Sequence, residues 1–283
     1  MKLVRYGNKD AESPGLIDSL GKLRDLSGEV EDITPEVLAP EKLSKLRLLD
    51  HNSLPQITEE TRLGIPLKGI PKIVAVGQNY LGHIAEMGYE PPREPVIFNK
   101  AVSSLLGPFD PMIKPLTSIK MDYEVELAAI FSKPALNVST PNALSYVAGY
   151  AVMNDGSERY YQKERAGGTT KGKSCDTFGP LGPWLVTSDE IVNPQQLRIW
   201  TKINGELRQD SNTSEMVFSI AQLISYVSEF MSFQPGDVLT TGSPHGVGGG
   251  FDPPKWLQPG DIIEMGIDGL GQQRHEVLAY SSQ

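Results

Sequence analysis

The segment Met121-Asp122-Tyr123-Glu124-Val125-Glu126-Leu127-Ala128-Ala129-Ile130 carries carboxylates at alternate positions. In a β-strand alternate side chains share a face, so Asp122, Glu124 and Glu126 are expected to point together with Ala128 and Ile130, and Tyr123, Val125 and Leu127 the other way. Apolar residues on both faces predict an internal strand with partly buried carboxylates. Neighbouring carboxylates withdrawn from water repel one another unless a cation sits among them. A hard divalent ion such as Mg2+ or Mn2+ prefers oxygen ligands and would remove that cost. A solvated acidic strand face is the alternative.

A further carboxylate follows the apolar run Tyr150 to Met153, in Met153-Asn154-Asp155-Gly156-Ser157-Glu158-Arg159. At a strand end Asp155 can complete a carboxylate trio; alternatively Asp155 or Ser157 caps a helix that starts near Glu158. Arg159 and Gln162 lie three apart on that helix and can face one site, Arg159 bringing local positive charge. In Gly77-Gln78-Asn79-Tyr80-Leu81-Gly82-His83-Ile84-Ala85-Glu86, one helical turn would bring His83 and Glu86 onto one face. A carboxylate there fixes the imidazole tautomer and raises its basicity, as a general base requires. A surface His–Glu contact has the same spacing.

Lys171-Gly172-Lys173-Ser174-Cys175-Asp176 is basic but lacks the upstream spacing of a phosphate-binding loop, so nucleotide binding is not expected. Cys175, the only cysteine, is read as an inert packed side chain and excludes an internal disulfide or thiolate zinc site. The turn-rich loop Thr241-Gly242-Ser243-Pro244-His245-Gly246-Val247-Gly248 either binds an anionic oxygen through its N–H groups and Ser243 or is simply a tight turn. His51 and His275 stand without supporting partners.

The elements that must position these groups follow from punctuation. The chain has 283 residues with 28 glycines and 22 prolines, which fits many short strands between turns. Strand patterns recur at 2–6, 15–17, 73–76, 124–130, 146–153, 184–186, 197–203, 238–241 and 262–267. Ser219 to Met231 is helical by spacing, with Ile220, Leu223, Ile224, Val227 and Met231 on one face; Ala143 to Tyr150 is a shorter helical pattern. Gln234-Pro235-Gly236-Asp237-Val238 and Gln258-Pro259-Gly260-Asp261-Ile262 repeat a turn that feeds an apolar strand. The expected class is α+β, mainly β, with a rolled or barrel-like mixed sheet. Residues 1–66, with short helices expected over 29–49, form a small amino-terminal α/β domain, and residues 67–283 the larger one.

Lys plus Arg is 26 against 35 for Asp plus Glu, a formal net charge of −9, which disfavours nucleic acid. No apolar run reaches the length of a membrane span and the start MKLVRYGNKD lacks a signal-peptide core, so a cytoplasmic protein without a membrane partner is expected.

In order, NYLGHIAEMG, MDYEVELA, AGYAVMNDGSERYYQKER, KGKSCDTFGPLGPWLV, INGELRQ and QPGDVLTTGSPHGVG resemble the fumarylacetoacetate hydrolase family over residues 70 to 270. The opening MKLVRYG looks like the bacterial subgroup of 2,4-diketo-3-deoxy sugar acid hydrolases and proteins labelled ureidoglycolate lyase. The resemblance implies a rolled β fold, usually homodimeric, with Mg2+ or Mn2+ held by Glu124, Glu126 and Asp155. It implies a water-activating dyad of His83 and Glu86 on a mobile lid, and an active-site lysine at Lys173. Arg159, Gln162 and Ser243 match positions that approach the substrate or position the site, and Tyr80 and Gln209 are further matches.

Three positions depart from the family pattern. Gly156 stands where relatives carry a larger apolar residue and would loosen Asp155. Ala166 to Lys171 lacks a Gln-Trp pair, and Ser243 replaces the usual Thr. The activity implied is metal-dependent hydrolysis of a C–C bond in an acylpyruvate-type 2,4-diketo acid, a small anionic keto acid, giving pyruvate and a carboxylic acid. Oxaloacetate-type decarboxylation, isomerisation of an unsaturated keto acid and ureidoglycolate cleavage are alternatives within the family, and a non-catalytic binder is a further one.

Overall fold

The repeated turn sequence folds the same way twice. Gln234 N–H donates to Asp237 Oδ2 at 2.7 Å while Asp237 N–H returns to the Gln234 carbonyl at 3.0 Å. Gln258 and Asp261 make the same pair of bonds at 2.7 and 3.0 Å. Proline fixes the first central residue, and Gly236 (φ 82°) and Gly260 (φ 93°) take the left-handed conformation the second requires. Each turn then releases a strand.

The structure, a computed structural model, describes residues 1–281. In chain order its strands are β1 Lys2–Tyr6, β2 Ser13–Ile17, β3 Leu23–Asp25, β4 Ile73–Gly77, β5 Val96–Lys100, β6 Leu105–Leu106, β7 Met112–Lys114, β8 Met121–Asp122 and β9 Val125–Phe131. They continue as β10 Val147–Asn154, β11 Ser157–Glu158, β12 Gly179–Thr187, β13 Arg198–Ile203, β14 Glu206–Asn212, β15 Val238–Thr240, β16 Ile262–Ile267 and β17 Gly271–Ala279. The α-helices are α1 Pro40–Arg47, α2 Leu81–Glu86, α3 Arg159–Lys163, α4 Thr169–Lys173 and α5 Ile220–Phe230.

A ten-stranded sheet runs β3-β2-β1-β12-β10-β9-β15-β4-β5, with β6 added beside β12. A five-stranded sheet runs β14-β13-β16-β17-β7, and β8 and β11 make a two-stranded one. Pairing is mostly antiparallel, but β15–β4, β12–β6 and β17–β7 are parallel. The sheets are therefore mixed and mainly β, as expected, and no closed barrel forms among the described residues.

β9 lies at the centre and every one of its residues is buried. Val125, Leu127, Ala129 and Phe131 pack into one core with α5 and the five-stranded sheet; Ala128 and Ile130 pack on the opposite face with Leu3, Leu16 and Ile73. Phe131 stacks on Phe233 at 3.9 Å between ring centroids. Residues 1–66 join this sheet through β1, where Leu3 pairs with Leu185 of β12. Arg5 grips Asp32 at 2.7 and 3.1 Å. α5 is fixed at its start by a capping box between Ser219 and Gln222.

The shorter helical pattern resolves differently. Residues Thr140–Tyr146 form a 3-10 turn and β10 begins at Val147. Val147, Tyr150 and Val152 fill the sheet between β9 and β12, where burial on both faces outweighs weak helical spacing.

Candidate active site

The acidic segment is divided: β8 ends at Asp122 and β9 starts at Val125. Side chains take over the bonds a continuous strand would use. Asp122 Oδ1 accepts the Tyr123 N–H at 2.9 Å, and Asn154 Oδ1 accepts the Glu124 N–H at 3.1 Å. Asp122 consequently leaves the face it was expected to share with Glu124 and Glu126. Its place is taken by Asp155, which follows directly after β10 and whose N–H donates to the Glu124 carbonyl at 2.8 Å. Oxygens of Glu124, Glu126 and Asp155 lie within 4.8 Å of one another, and all three residues are buried. The capping alternative for Asp155 falls away, because Glu158 caps α3 with its own carboxylate, bonded to Tyr160 N–H at 3.1 Å.

Three buried cations face this trio. Lys173 Nζ contacts Glu124 and sits 2.6 Å from Asp155 Oδ2. Lys100 Nζ sits 2.9 Å from Asp155 Oδ1, off the line of a hydrogen bond, so that buried oxygen accepts none. Arg159 bridges Glu124 at 2.6 Å and Asp122 at 2.9 Å. Among the described residues Glu126 has no cationic contact and accepts only the Gly242 N–H, at 3.0 Å. Burial, reinforced by the charges of Asp155 and Glu124, pushes its carboxyl well above the usual range. Burial opposes ionisation of Glu124 too, but Arg159 and Lys173 outweigh it and hold that carboxyl low. Burial would strip Lys173 of its proton, yet Asp155 and Glu124 raise its pKa; Lys100 is pulled down chiefly by burial.

The donor set fits a hard divalent cation: oxygen ligands only, an Asp155 oxygen that accepts no hydrogen bond and a Glu126 carboxyl without a cationic contact among the described residues. Mg2+ and Mn2+ both suit such a trio.

These residues floor a pocket of about 130 Å³ that is also lined by His83, Arg159, Gln162 and Ser243. His83 Nδ1 is 3.1 Å from Glu86 Oε2 on the single turn of α2. Gln162 Oε1 lies 3.4 Å from Arg159 Nη1. Ser243 Oγ accepts from Gln209 Nε2 at 2.9 Å, which leaves the Ser243 O–H free to donate into the pocket. Gln209 itself stands behind the wall, fully buried and also holding the Pro244 carbonyl and the Val125 N–H. Tyr80 likewise does not line the pocket: it is buried at the start of α2, and its hydroxyl has no hydrogen-bond partner among the described residues. Of the two, Gln209 reaches the pocket through its bond to Ser243, and Tyr80 stands outside the lining.

Gly156 sits in a tightly packed position beside Asp155. A Cβ there would meet the Phe178 carbonyl at 2.9 Å and Met112 Cε at 3.0 Å, so close packing accounts for the glycine. The loop after β15 does present N–H groups to anionic oxygens, but three of them go to the chain's own carboxylates, Glu86 and Asp122. Cys175 is half-buried and its thiol is pushed up to about 11 by burial, consistent with an inert side chain.

Sequence reasoning missed Lys100 and the apolar wall of Val96, Phe98, Met87 and Tyr89. Lys100 ends a strand whose alternation placed it inward, which was a usable signal. Tyr89 and Met87 follow α2 in a loop without a readable pattern.

A family description, Fumarylacetoacetate (FAA) hydrolase C-terminal, matches residues 72–278. A Burkholderia multivorans relative, provisionally named a hydrolase, is 48% identical over 274 residues, 96% of this chain and 97% of that one. Among solved structures, a fumarylacetoacetate hydrolase from Exiguobacterium antarcticum superposes with a TM-score of 0.87 at 34% identity, covering 99% of this chain and 100% of that one. A maleylpyruvate hydrolase from Sphingobium sp. SYK-6 superposes with a TM-score of 0.83 at 28% identity, over 99% and 100% of the two chains. A protein from Mycobacterium abscessus, described as a probable 2-hydroxyhepta-2,4-diene-1,7-dioate isomerase, gives 0.85 at 32% identity, over 100% of both.

Proposed function

The chain belongs to the fumarylacetoacetate hydrolase family, and on that premise we propose that it hydrolyses a C–C bond of an acylpyruvate-type 2,4-diketo acid to pyruvate and a carboxylic acid. The observation that carries this reading is a His–Glu pair opening onto the same pocket as the carboxylate trio and a charged lysine.

Glu86 accepts a hydrogen bond from His83 Nδ1–H, which leaves the Nε2 lone pair free as a base. His83 takes a proton from water as that water adds to the distal C4 carbonyl. The C3–C4 bond then breaks, its electrons pass to a pyruvate enolate, and protonation at C3 completes pyruvate while C4 leaves as the acid. Glu124, Glu126 and Asp155 would hold a divalent ion, which would supply Lewis acidity. Lys173, kept protonated by its carboxylate partners, offsets enolate charge. Arg159, Gln162 and the free Ser243 O–H orient the substrate's polar end, and Val96, Phe98 and Met87 give the acyl chain an apolar wall.

A small anionic keto acid suits a pocket that sets Arg159, Lys163 and Lys173 beside its carboxylate trio. No helix among the described residues is long and apolar enough to cross a membrane. We read the protein as a cytoplasmic homodimer, checked by its sedimentation coefficient. The isomerase description of one neighbour motivates a second reading, proton transfer within an unsaturated keto acid, which needs no added water.

A proton NMR time course with Mg2+ and a small acylpyruvate separates these readings, run beside oxaloacetate and an unsaturated keto diacid and repeated in EDTA. EDTA-sensitive pyruvate plus free acid supports hydrolysis. Consumption of only the diacid, or of only oxaloacetate, overturns it in favour of isomerisation or decarboxylation.

A further inference from the structure

The glycine-rich loop from Gly246 to Gly250 touches both arms of the pocket without lining it. Gly246 N–H donates to Glu86 Oε1 at 2.8 Å, so the carboxylate that orients His83 is held from behind by the loop. Gly248 N–H donates to Asp122 Oδ1 at 2.7 Å and Gly249 N–H to Asp122 Oδ2 at 3.1 Å; Asp122 in turn binds Arg159 Nε at 2.9 Å. The loop is rigidly seated, with the Gly246 carbonyl accepting the buried Tyr123 hydroxyl at 2.9 Å.

There is no spare space at these positions. A Cβ on Gly246, already at φ 96°, would lie 1.9 Å from the Arg208 carbonyl. A Cβ on Gly248 would meet the Lys255 carbonyl at 2.4 Å and Asp122 Oδ1 at 2.7 Å. On Gly250 it would fall 2.1 Å from the Glu86 carboxyl carbon. Closeness recurs from the other side, where a Cβ on Gly82 of α2 would reach His245 Nδ1 at 2.7 Å. Helix α2 thus docks on the loop through bare backbone at both surfaces.

We propose that Gly246 to Gly250 is a positioning cradle that fixes Glu86, and through it His83, and at the same time fixes Asp122, and through it Arg159. The inference rests on the assignment of His83 as the base and Arg159 as a substrate contact. Two carboxylates that share one rigid loop keep the water-activating arm and the substrate-holding arm in register.

The Gly250→Ala substitution isolates the Glu86 half, because the atom it displaces is the end of a flexible side chain and the backbone there needs no left-handed conformation. Expected is a kcat for acylpyruvate hydrolysis at least about tenfold lower, with KM within about twofold and Mg2+ affinity unchanged. Wild-type kcat in Gly250→Ala overturns the proposal. Asp122→Asn should instead raise KM about tenfold or more; an unchanged KM removes the Arg159 half.

A readout independent of turnover is the hydrogen-bonded imidazole Nδ1–H of His83 in a ¹⁵N-histidine spectrum. It should be lost or shifted in Gly250→Ala and retained in Asp122→Asn, and an unchanged signal in Gly250→Ala overturns the cradle. If wild-type protein cleaves no acylpyruvate, the functional reading fails while this spectrum still decides the positioning one.

Discussion

Glu86 is held at both oxygens: Oε2 lies 3.1 Å from His83 Nδ1, and Oε1 accepts the Gly246 N–H at 2.8 Å. A carboxylate anchored in this way fixes both the tautomer and the direction of the imidazole, which leaves Nε2 as the basic atom.

Removing that base should separate hydrolysis from chemistry that needs no water. His83→Ala is expected to lower acylpyruvate cleavage at least about 100-fold, since positioned general bases contribute on that order. Mg2+ affinity should stay unchanged, and any decarboxylation of oxaloacetate should persist. Normal hydrolysis by this variant, followed by pyruvate release, would end the dyad assignment.

Glu126 tests the metal site through stability as well as activity. It is buried with a single backbone donor and no cationic contact among the described residues, and its carboxyl is pushed well above the usual range, so folding without metal must either bury its charge or take up a proton, a burden at neutral pH. Glu126→Gln preserves an oxygen for the Gly242 N–H and deletes the charge. In EDTA the variant should melt a few degrees higher, about 1 kcal/mol being worth about 2–4 °C in a domain of this size. Added Mg2+ should stabilise the native protein and not the variant, and turnover should be abolished. A lower melting point in EDTA would show that the charge is already compensated.

The sequence carried the trio only through two different kinds of reasoning. Alternation found Glu124 and Glu126, and it misplaced Asp122 because side-chain bonds from Asp122 and Asn154 break the strand at Tyr123. Asp155 was legible as a polar residue at a strand end, but its approach to Glu124 depends on β9 and β10 pairing, with Met153 opposite Glu126. Local chemistry was plain where it is local: the two Gln-Pro-Gly-Asp turns and the Ser219 to Gln222 cap. Positions that follow from distant packing were not. Gln209 and Tyr80 carry polar groups, and only the three-dimensional arrangement shows that they stand outside the pocket lining, Gln209 behind Ser243. For Lys100 alternation along its strand gives the inward direction, while its partner Asp155 is remote in the chain and only the folded structure supplies it.

Lys173 makes a prediction of opposite signs. Its ammonium competes with a cation for Glu124 and Asp155 while supplying the charge that offsets an enolate. Lys173→Met should lower kcat at least about 100-fold yet leave Mg2+ binding as tight or tighter, because the trio becomes more negative. Titration calorimetry beside kinetics reads both effects. Weaker Mg2+ binding would mean that Lys173 supports the site by packing instead.

The join between the amino-terminal strands and the segment that follows them provides a test far from the pocket. Arg5 on β1 makes two hydrogen bonds to Asp32, at 2.7 and 3.1 Å, and both side chains are largely buried. Burial disfavours the Asp32 charge, but the Arg5 hydrogen bonds and charge outweigh it and hold the carboxyl below the usual range. Asp32→Asn leaves the guanidinium with only Glu12, at 3.3 Å, to compensate it. The expected loss at pH 7 is about 3 kcal/mol, the lower end for removing one partner of a buried pair. A carboxyl with a depressed native pKa binds fewer protons folded than unfolded, so its stabilisation is complete above about pH 4 and fades as pH falls through the native value. Denaturant melts at pH 7 and pH 3 should therefore show a wide gap between wild type and Asp32→Asn that narrows in acid. A gap of the same size at both would mean that Asp32 acts through shape and neutral hydrogen bonding, with its charge contributing nothing.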